Sequence, residues 1–329
     1  MLRMKAEMKK TSFTNRIIWI TAVFILGVMA GDFAAIGGLE LLDRLTDIRS
    51  SAVVFITDCY LCLSLSVLVF VLFCRFTRKN RFILEGMRPK NDRRFLSGFG
   101  IGILLGFLSN FFCILFALLN GDIKLVWDFS LSGVPVMLLA FIGVFFQSVS
   151  EEVWCRGFMY ERISIHYPLW VAVLVNAVMF GLLHIFNDGV TALAIVSIII
   201  CGIGYSLLRW YTGSIWTAFG IHTMWNFTQN FIFGLPNSGL VSEVSMFRLD
   251  AATGMDSLVY SYEFGVEGAW PALFIDSLIA IVIIVLACRS GRIRELTLSK
   301  EMLGYKEPEP RCIFRRQRDG NRNNSGNDS

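Results

Sequence analysis

The sequence predicts an all-α fold, a polytopic transmembrane helical bundle of about eight spans, and three observations predict it. Hydrophobic residues fill 55% of the 329 positions and charged residues only 17%, where a soluble domain carries about 25% charged residues. The apolar residues fall in blocks of about 20, the length a helix needs to cross about 30 Å of hydrocarbon. Lys and Arg collect outside the blocks, chiefly in the N-terminal arm, the 75–96 connection and the tail beyond 288, a distribution that the positive-inside rule reads as topology.

Taken in order, the spans are expected at about 17–38, 52–74, 97–119, 134–161, 168–186, 189–208, 213–233 and 270–288. The first follows a basic arm (Arg3, Lys5, Lys9, Lys10, Arg16). Arm and apolar run together have the shape of a secretory signal, with Val28-x-Ala30 as its cleavage site. The many spans downstream favour an uncleaved first helix, the weakest of the set because Asp32 and three glycines interrupt its end. The 75–96 connection holds eight basic residues and the tail beyond 288 holds ten. The alternate connections 39–51, 120–133, 187–188 and 234–269 hold two, one, none and one. These counts put the protein in a cell membrane with both termini cytoplasmic.

No soluble domain or internal repeat is evident. The organisation reads as a cytoplasmic arm (1–16), N-terminal helices and loops (17–133), a core carrying the chemistry (134–233), an extracytoplasmic loop with the last helix (234–288), and a basic tail (289–329). The 313–329 stretch is polar and Asn-rich, a composition that stays disordered. The net charge of +4 is spread as topology signals, so the lipid bilayer is the expected partner and nucleic acid is not. Most of the eight cysteines sit in apolar blocks, as small hydrophobes do. Cys59 and Cys62 form a CxxC, but no second pair or nearby His completes a zinc site.

Ionisable groups inside apolar spans are costly and therefore point to function. They concentrate in three places: Glu151-Glu152-x-x-x-Arg156 late in the fourth span, Phe180-x-x-x-His184 in the fifth, and His222-x-x-x-Asn226 in the seventh. Residues four apart share a helix face, so Glu152 meets Arg156 and His222 aligns with Asn226. Glu151 lies about 100° around the helix from Glu152, so the two carboxylates point apart. A rise of about 1.5 Å per residue places Glu151, His222, Asn226 and His184 about 16, 14, 20 and 24 Å from the inner boundary, compatible with one polar site within the membrane. Desolvation moves a buried carboxylate towards general-base range, while Arg156 opposes that shift. Neutral His can position water, and a second His with an Asn amide can donate to a developing oxyanion. The same Glu and His atoms could instead hold a divalent metal such as zinc, although HExxH is absent.

The ordered triple EExxxR, FxxxH and HxxxN on successive membrane helices resembles the motifs of the CAAX-protease and bacteriocin-processing (CPBP) family. That family includes the Ras-converting CAAX endopeptidase and abortive-infection and bacteriocin-immunity proteins. The resemblance covers about 134–233, roughly a third of the chain. It implies an intramembrane endopeptidase in which Glu151 and His184 activate water and His222 and Asn226 stabilise the oxyanion. Glu152, Arg156 and Phe180 support the site. The family has been described both as metalloprotease and as metal-free glutamate protease. If a metal is bound, Glu151, His184 and His222 are its ligands. The expected substrate is a peptide or a membrane protein.

Blander readings stand beside these. Glu152 with Arg156 could be a buried structural pair, His184 a packing residue, and His222 with Asn226 interhelical polar glue. His166 reads as interfacial, and Cys155 occupies a variable motif position. A membrane immunity or scaffold protein that binds a peptide without cutting it is the alternative function. A transporter ranks last, because paired broken helices in two related halves are not seen.

Overall fold

The structure is a computed structural model that describes residues 16–46, 50–88, 92–250 and 254–304. Most of the expected N-terminal arm, including Arg3, Lys5, Lys9 and Lys10, and the 313–329 tail lie outside the described residues.

The helices are α1 (Ile17–Leu45), α2 (Ser51–Cys59), α3 (Ser64–Phe76), α4 (Arg81–Met87), α5 (Asp92–Asn120), α6 (Val134–Glu152), α7 (Tyr160–His166), α8 (Leu169–Leu183), α9 (Ala192–Thr212), α10 (Trp216–Phe227) and α11 (Trp270–Arg289). Among the described residues six helical stretches are long and apolar enough to cross a membrane: Ile17–Leu45, Ser51–Phe76, Leu96–Asn120, Leu131–His166, Ala192–Thr212 and Trp270–Arg289. A shorter apolar helix, Leu169–Leu183, accompanies them. Multiple apolar helices of this length mark a multi-pass membrane protein.

Two of the eight expected spans therefore fall short. The fifth ends at Leu183, just before His184. The seventh is the twelve residues of α10 followed by a π-helical segment, Thr228–Ile232. Most of α10 is buried among its neighbours, so bilayer thickness does not set its length.

The weakness expected at the first span is not observed, since α1 runs unbroken through Asp32, Gly37 and Gly38. Its glycines are contact points. A Cβ on Gly31 would stand 2.2 Å from Ser66 Oγ, and one on Gly27 2.2 Å from the Trp154 ring. Without side chains there, α1 lies close against α3 and the segment after α6.

The tightest approach joins α5 to α10. A Cβ on Gly102 would come within 2.3 Å of Thr217 O, one on Gly106 within 2.4 Å of Ile221 O, and one on Gly220 within 2.4 Å of Phe99 O. Small residues four apart allow this backbone-to-backbone packing in membrane helices, and here they fix the helix that carries His222 and Asn226.

The 234–269 segment, expected as a plain loop, folds back onto the bundle. It contributes a strand, β2 (Phe247–Asp250), that pairs antiparallel with β1 (Lys124–Trp127) in the register Lys124↔Asp250. This ribbon is an exception to the all-α pattern. The π segment pins the chain that follows it: Gln229 Nε2 donates to Pro236 O (2.6 Å), and Asn230 Nδ2 donates to Leu235 O (3.0 Å) and Leu240 O (2.9 Å). Tyr60 OH and Asn110 Nδ2 donate in turn to Asn230 Oδ1 and Gln229 Oε1. At the opposite end of the bundle, Glu161 joins Arg209 and Lys300, Arg292 caps the carbonyl of Tyr211, and Trp216 Nε1 reaches Met87 O. The segments that follow α3 and α11 therefore gather at one end.

Candidate active site

Glu151 and Glu152 stand on adjacent positions of the last turn of α6, and the 100° step between them separates their environments. Glu151 turns to a cavity of about 160 Å³ that Gln147, His184, His222 and Asn226 also line. Glu152 turns inward and is fully buried.

Burial of Glu152 is compensated at Oε1, while Oε2 has no hydrogen-bond partner among the described residues. Arg156 Nη1 donates to Glu152 Oε1 at 2.8 Å, and both side chains have no solvent exposure. The guanidinium also lies 4.2 Å from the Phe180 ring centre and 5.4 Å from that of Tyr205. These aromatic faces stabilise a desolvated cation. Arg156 sits in a π-helical segment, Val153–Met159, that follows α6 directly. Such segments recur at functional sites because they re-aim side chains within a helix.

His222 bridges the two carboxylates. Its Nδ1 is 3.1 Å from Glu152 Oε1 and its Nε2 is 3.7 Å from Glu151 Oε2. His184 approaches from the residue after α8, with Nδ1 2.9 Å from Phe180 O and Nε2 4.0 Å from Glu151 Oε2. A carbonyl or an ionised carboxylate only accepts, so each Nδ1 carries the proton. In the neutral rings each Nε2 then offers a lone pair towards the same carboxylate oxygen. That oxygen, Glu151 Oε2, is buried and has no hydrogen-bond partner among the described residues. Its sister Oε1 accepts from Gln147 Nε2.

Asn226 Nδ2 donates to Gln147 Oε1 at 2.9 Å, which leaves the second hydrogen of its amide for the cavity. The structure thus brings Glu151, His184, His222 and Asn226 to one cavity. Phe180 lines the same cavity, and Glu152 and Arg156 stand immediately behind it. His166 is elsewhere, 3.1 Å from Glu301. Cys155 is buried, and Cys59 and Cys62 are free thiols.

Several residues on the cavity went unnoticed in the sequence. Gln147, one turn before Glu151, holds both Glu151 and Asn226. Glu267 receives the backbone N–H and the hydroxyl of Ser238, the latter at 2.7 Å, and Trp225 Nε1 at 3.3 Å. Ser238 has φ 49°, a left-handed conformation that costs a non-Gly residue energy and that the Glu267 clamp sustains. Burial pushes the Glu267 carboxyl above its ordinary value, against the hydrogen bonds from Ser238. Asp276, in α11, lines the far wall with Tyr205. Its signal was present, a carboxylate inside an apolar span.

The donor set has the chemistry of a zinc site: two imidazoles fixed through Nδ1 and one carboxylate. The spacing differs. Ligands about 2.0–2.1 Å from a tetrahedral zinc stand about 3.4 Å apart, against the observed 3.7 and 4.0 Å. Among the described residues no group of three His, Cys, Asp or Glu side chains could hold a metal ion. As arranged, these residues do not fit the ion.

A bundle of apolar helices enclosing a buried Glu/His cluster on a small cavity defines the class: a multi-pass membrane protein in which that cluster is consistent with an active site. Residues 133–228, under a third of the chain, match the family described as Type II CAAX prenyl endopeptidase Rce1-like. The matched family is one of peptidases, enzymes that act on a protein or peptide. Neither the curated proteins nor the solved structures contain a match to the chain.

Proposed function

We propose that the protein is an intramembrane endopeptidase that hydrolyses a peptide bond of a membrane-associated peptide or protein with a water molecule activated by Glu151. The observation that carries this reading is the unpartnered Glu151 Oε2, buried and facing two imidazole Nε2 atoms at 3.7 and 4.0 Å. A water in that space gives one hydrogen to Glu151 Oε2 and the other to His184 Nε2. Hydrogen bonds of about 2.6–3.2 Å suit a general base acting through such a water.

Glu151 removes the first proton as the water oxygen attacks the carbonyl carbon. The second N–H of Asn226 donates to the resulting oxyanion. His222 can join it only as the imidazolium, because its Nδ1 proton is committed to Glu152. The proton on Glu151 then passes to the amide nitrogen as the C–N bond breaks. Oxyanion donors of this type contribute about 2.7–4 kcal/mol each. The orientation of Glu151 comes from Gln147, and that of His222 from Glu152 and Arg156.

The substrate-finding test is a comparison of new protein N-termini in membranes of cells expressing the wild type or Glu151→Gln at equal abundance. Termini that appear only with the wild type support the reading. Identical sets with both proteins contradict it.

A further inference from the structure

Three carboxylates face the candidate cavity, and their circumstances differ. Glu151 looks at the two imidazoles. Glu267 is consumed by Ser238 and Trp225. Asp276 is only 5% exposed and has neither a hydrogen bond nor an ion pair with any described residue, yet it lines the cavity.

Asp276 lies six residues into α11, about 9 Å from the helix start at 1.5 Å per residue. A carboxylate at such depth without a partner is costly. The wall around it is shaped. Ser197, Cys201 and Tyr205 recur every four residues along α9 and line the same cavity, and the Tyr205 ring stands 5.8 Å from that of His222. No Lys or Arg lines this cavity, and Arg156 behind it is already engaged by Glu152.

The outward side continues the same sign. A larger cavity of about 880 Å³ adjoins the 234–243 segment, and its lining carries Asp128, Asp188, Glu243 and Glu263 against Arg248 alone among basic residues. Arg248 already lies 3.6 Å from Asp128 and 3.9 Å from Asp250. Clefts lined by one sign of charge concentrate ligands of the other.

We propose that Asp276 is a specificity-determining residue, a subsite for a positively charged side chain, Lys or Arg, of the substrate near the bond that is cut. The assignment of the cation to a cleaved peptide rests on the peptidase reading above; the cation subsite itself does not. Bound there, an ammonium or guanidinium supplies the charge-assisted hydrogen bonds that Asp276 lacks in the protein alone.

The test uses fluorescein-labelled peptides on a fixed alanine–leucine background in which a single residue is Lys, Arg, Gln or norleucine. Binding is measured to the full-length Glu151→Gln protein in detergent, and turnover with the wild type. The Lys and Arg peptides are expected to bind at least tenfold more tightly than the Gln and norleucine peptides. Adding Asp276→Asn to Glu151→Gln should reduce that ratio to about twofold or less, while Asp276→Glu retains most of it. The wild-type preference among peptides needs no variant at 276, so a misfolded variant leaves the proposal testable. Equal binding of charged and neutral peptides, or no binding of any, overturns the subsite. So does a charge preference that survives Asp276→Asn. A charge preference that depends on Asp276 without turnover of any peptide would leave the subsite standing and count against the peptidase reading.

Discussion

His222 Nδ1 lies 3.1 Å from Glu152 Oε1, a contact that makes a fully buried carboxylate the orienting partner of a ring whose other nitrogen faces Glu151. The first turn of the chemistry and the burial of an ion pair are thus one structure. Glu152 receives Arg156 and His222 on the same oxygen.

Removing the Glu152 charge should therefore cost stability as well as turnover. Glu152→Gln leaves the Arg156 guanidinium buried and unpaired, and breaking such a pair costs about 3–5 kcal/mol. The double variant Glu152→Gln/Arg156→Met removes both charges and should recover much of that loss without recovering activity. Thermal unfolding in detergent, measured beside turnover, separates the two effects. Additive losses in the double variant would show that the pair is not coupled.

Gln147 is a positioning residue rather than a participant, since it touches Glu151 and Asn226 and no reacting atom. Gln147→Met should lower kcat about 10–100-fold, the scale of lost orienting contacts around reactive groups, with KM and the melting temperature little changed. A rise in KM at constant kcat would argue for a role in binding instead.

The α5–α10 contact makes a packing prediction. Gly106→Val must displace Ile221 or bend α5, because even a Cβ meets the Ile221 carbonyl at 2.4 Å. Overpacking of this kind costs about 1–3 kcal/mol, and here it also moves His222, the next residue. Activity should fall further than stability does. Gly100→Ala on the same helix, where a Cβ meets nothing within 4 Å, is the control and should be silent in both measurements.

Beyond the end of α11, Arg292 makes hydrogen bonds to both Glu295 oxygens, at 3.0 and 3.1 Å. These bonds hold the Glu295 carboxyl below its ordinary value near 4.5. A carboxylate depressed on folding contributes stability that is present above its unfolded value and is lost as pH falls through its folded value. The melting-temperature gap between wild type and Glu295→Gln should be constant from pH 7 to about pH 5 and shrink as the pH falls below about 4. A gap that grows on acidification would contradict the assigned partner.

Much of the site was legible in the sequence because burying ionisable groups in a bilayer is expensive, and few sequences do so idly. That argument found Glu151, Glu152, His184 and His222, and four-residue spacing tied Asn226 to His222. Applied evenly it would also have flagged Asp276, which stands inside the last apolar block. Gln147 could not be found this way, since a neutral amide in a membrane helix carries a much weaker penalty. The clamp of Ser238 by Glu267 depends on a 29-residue return of the chain, and nothing local to either residue encodes that contact. The glycines of α1 misled for a related reason. Sequence alone reads glycine as a helix breaker, whereas a tightly packed bundle uses it where two backbones or a ring must come close.

The most direct measurement of the central claim is isotope incorporation by the purified, reconstituted protein acting on a substrate found from its new termini, in water enriched in oxygen-18. One heavy oxygen is expected in the newly formed C-terminal carboxylate, with Glu151→Gln and His184→Ala lowering the rate by at least a thousandfold at unchanged melting temperature, on the scale of lost general-base and electrostatic catalysis. Cleavage by Glu151→Gln at a rate near that of the wild type would contradict it.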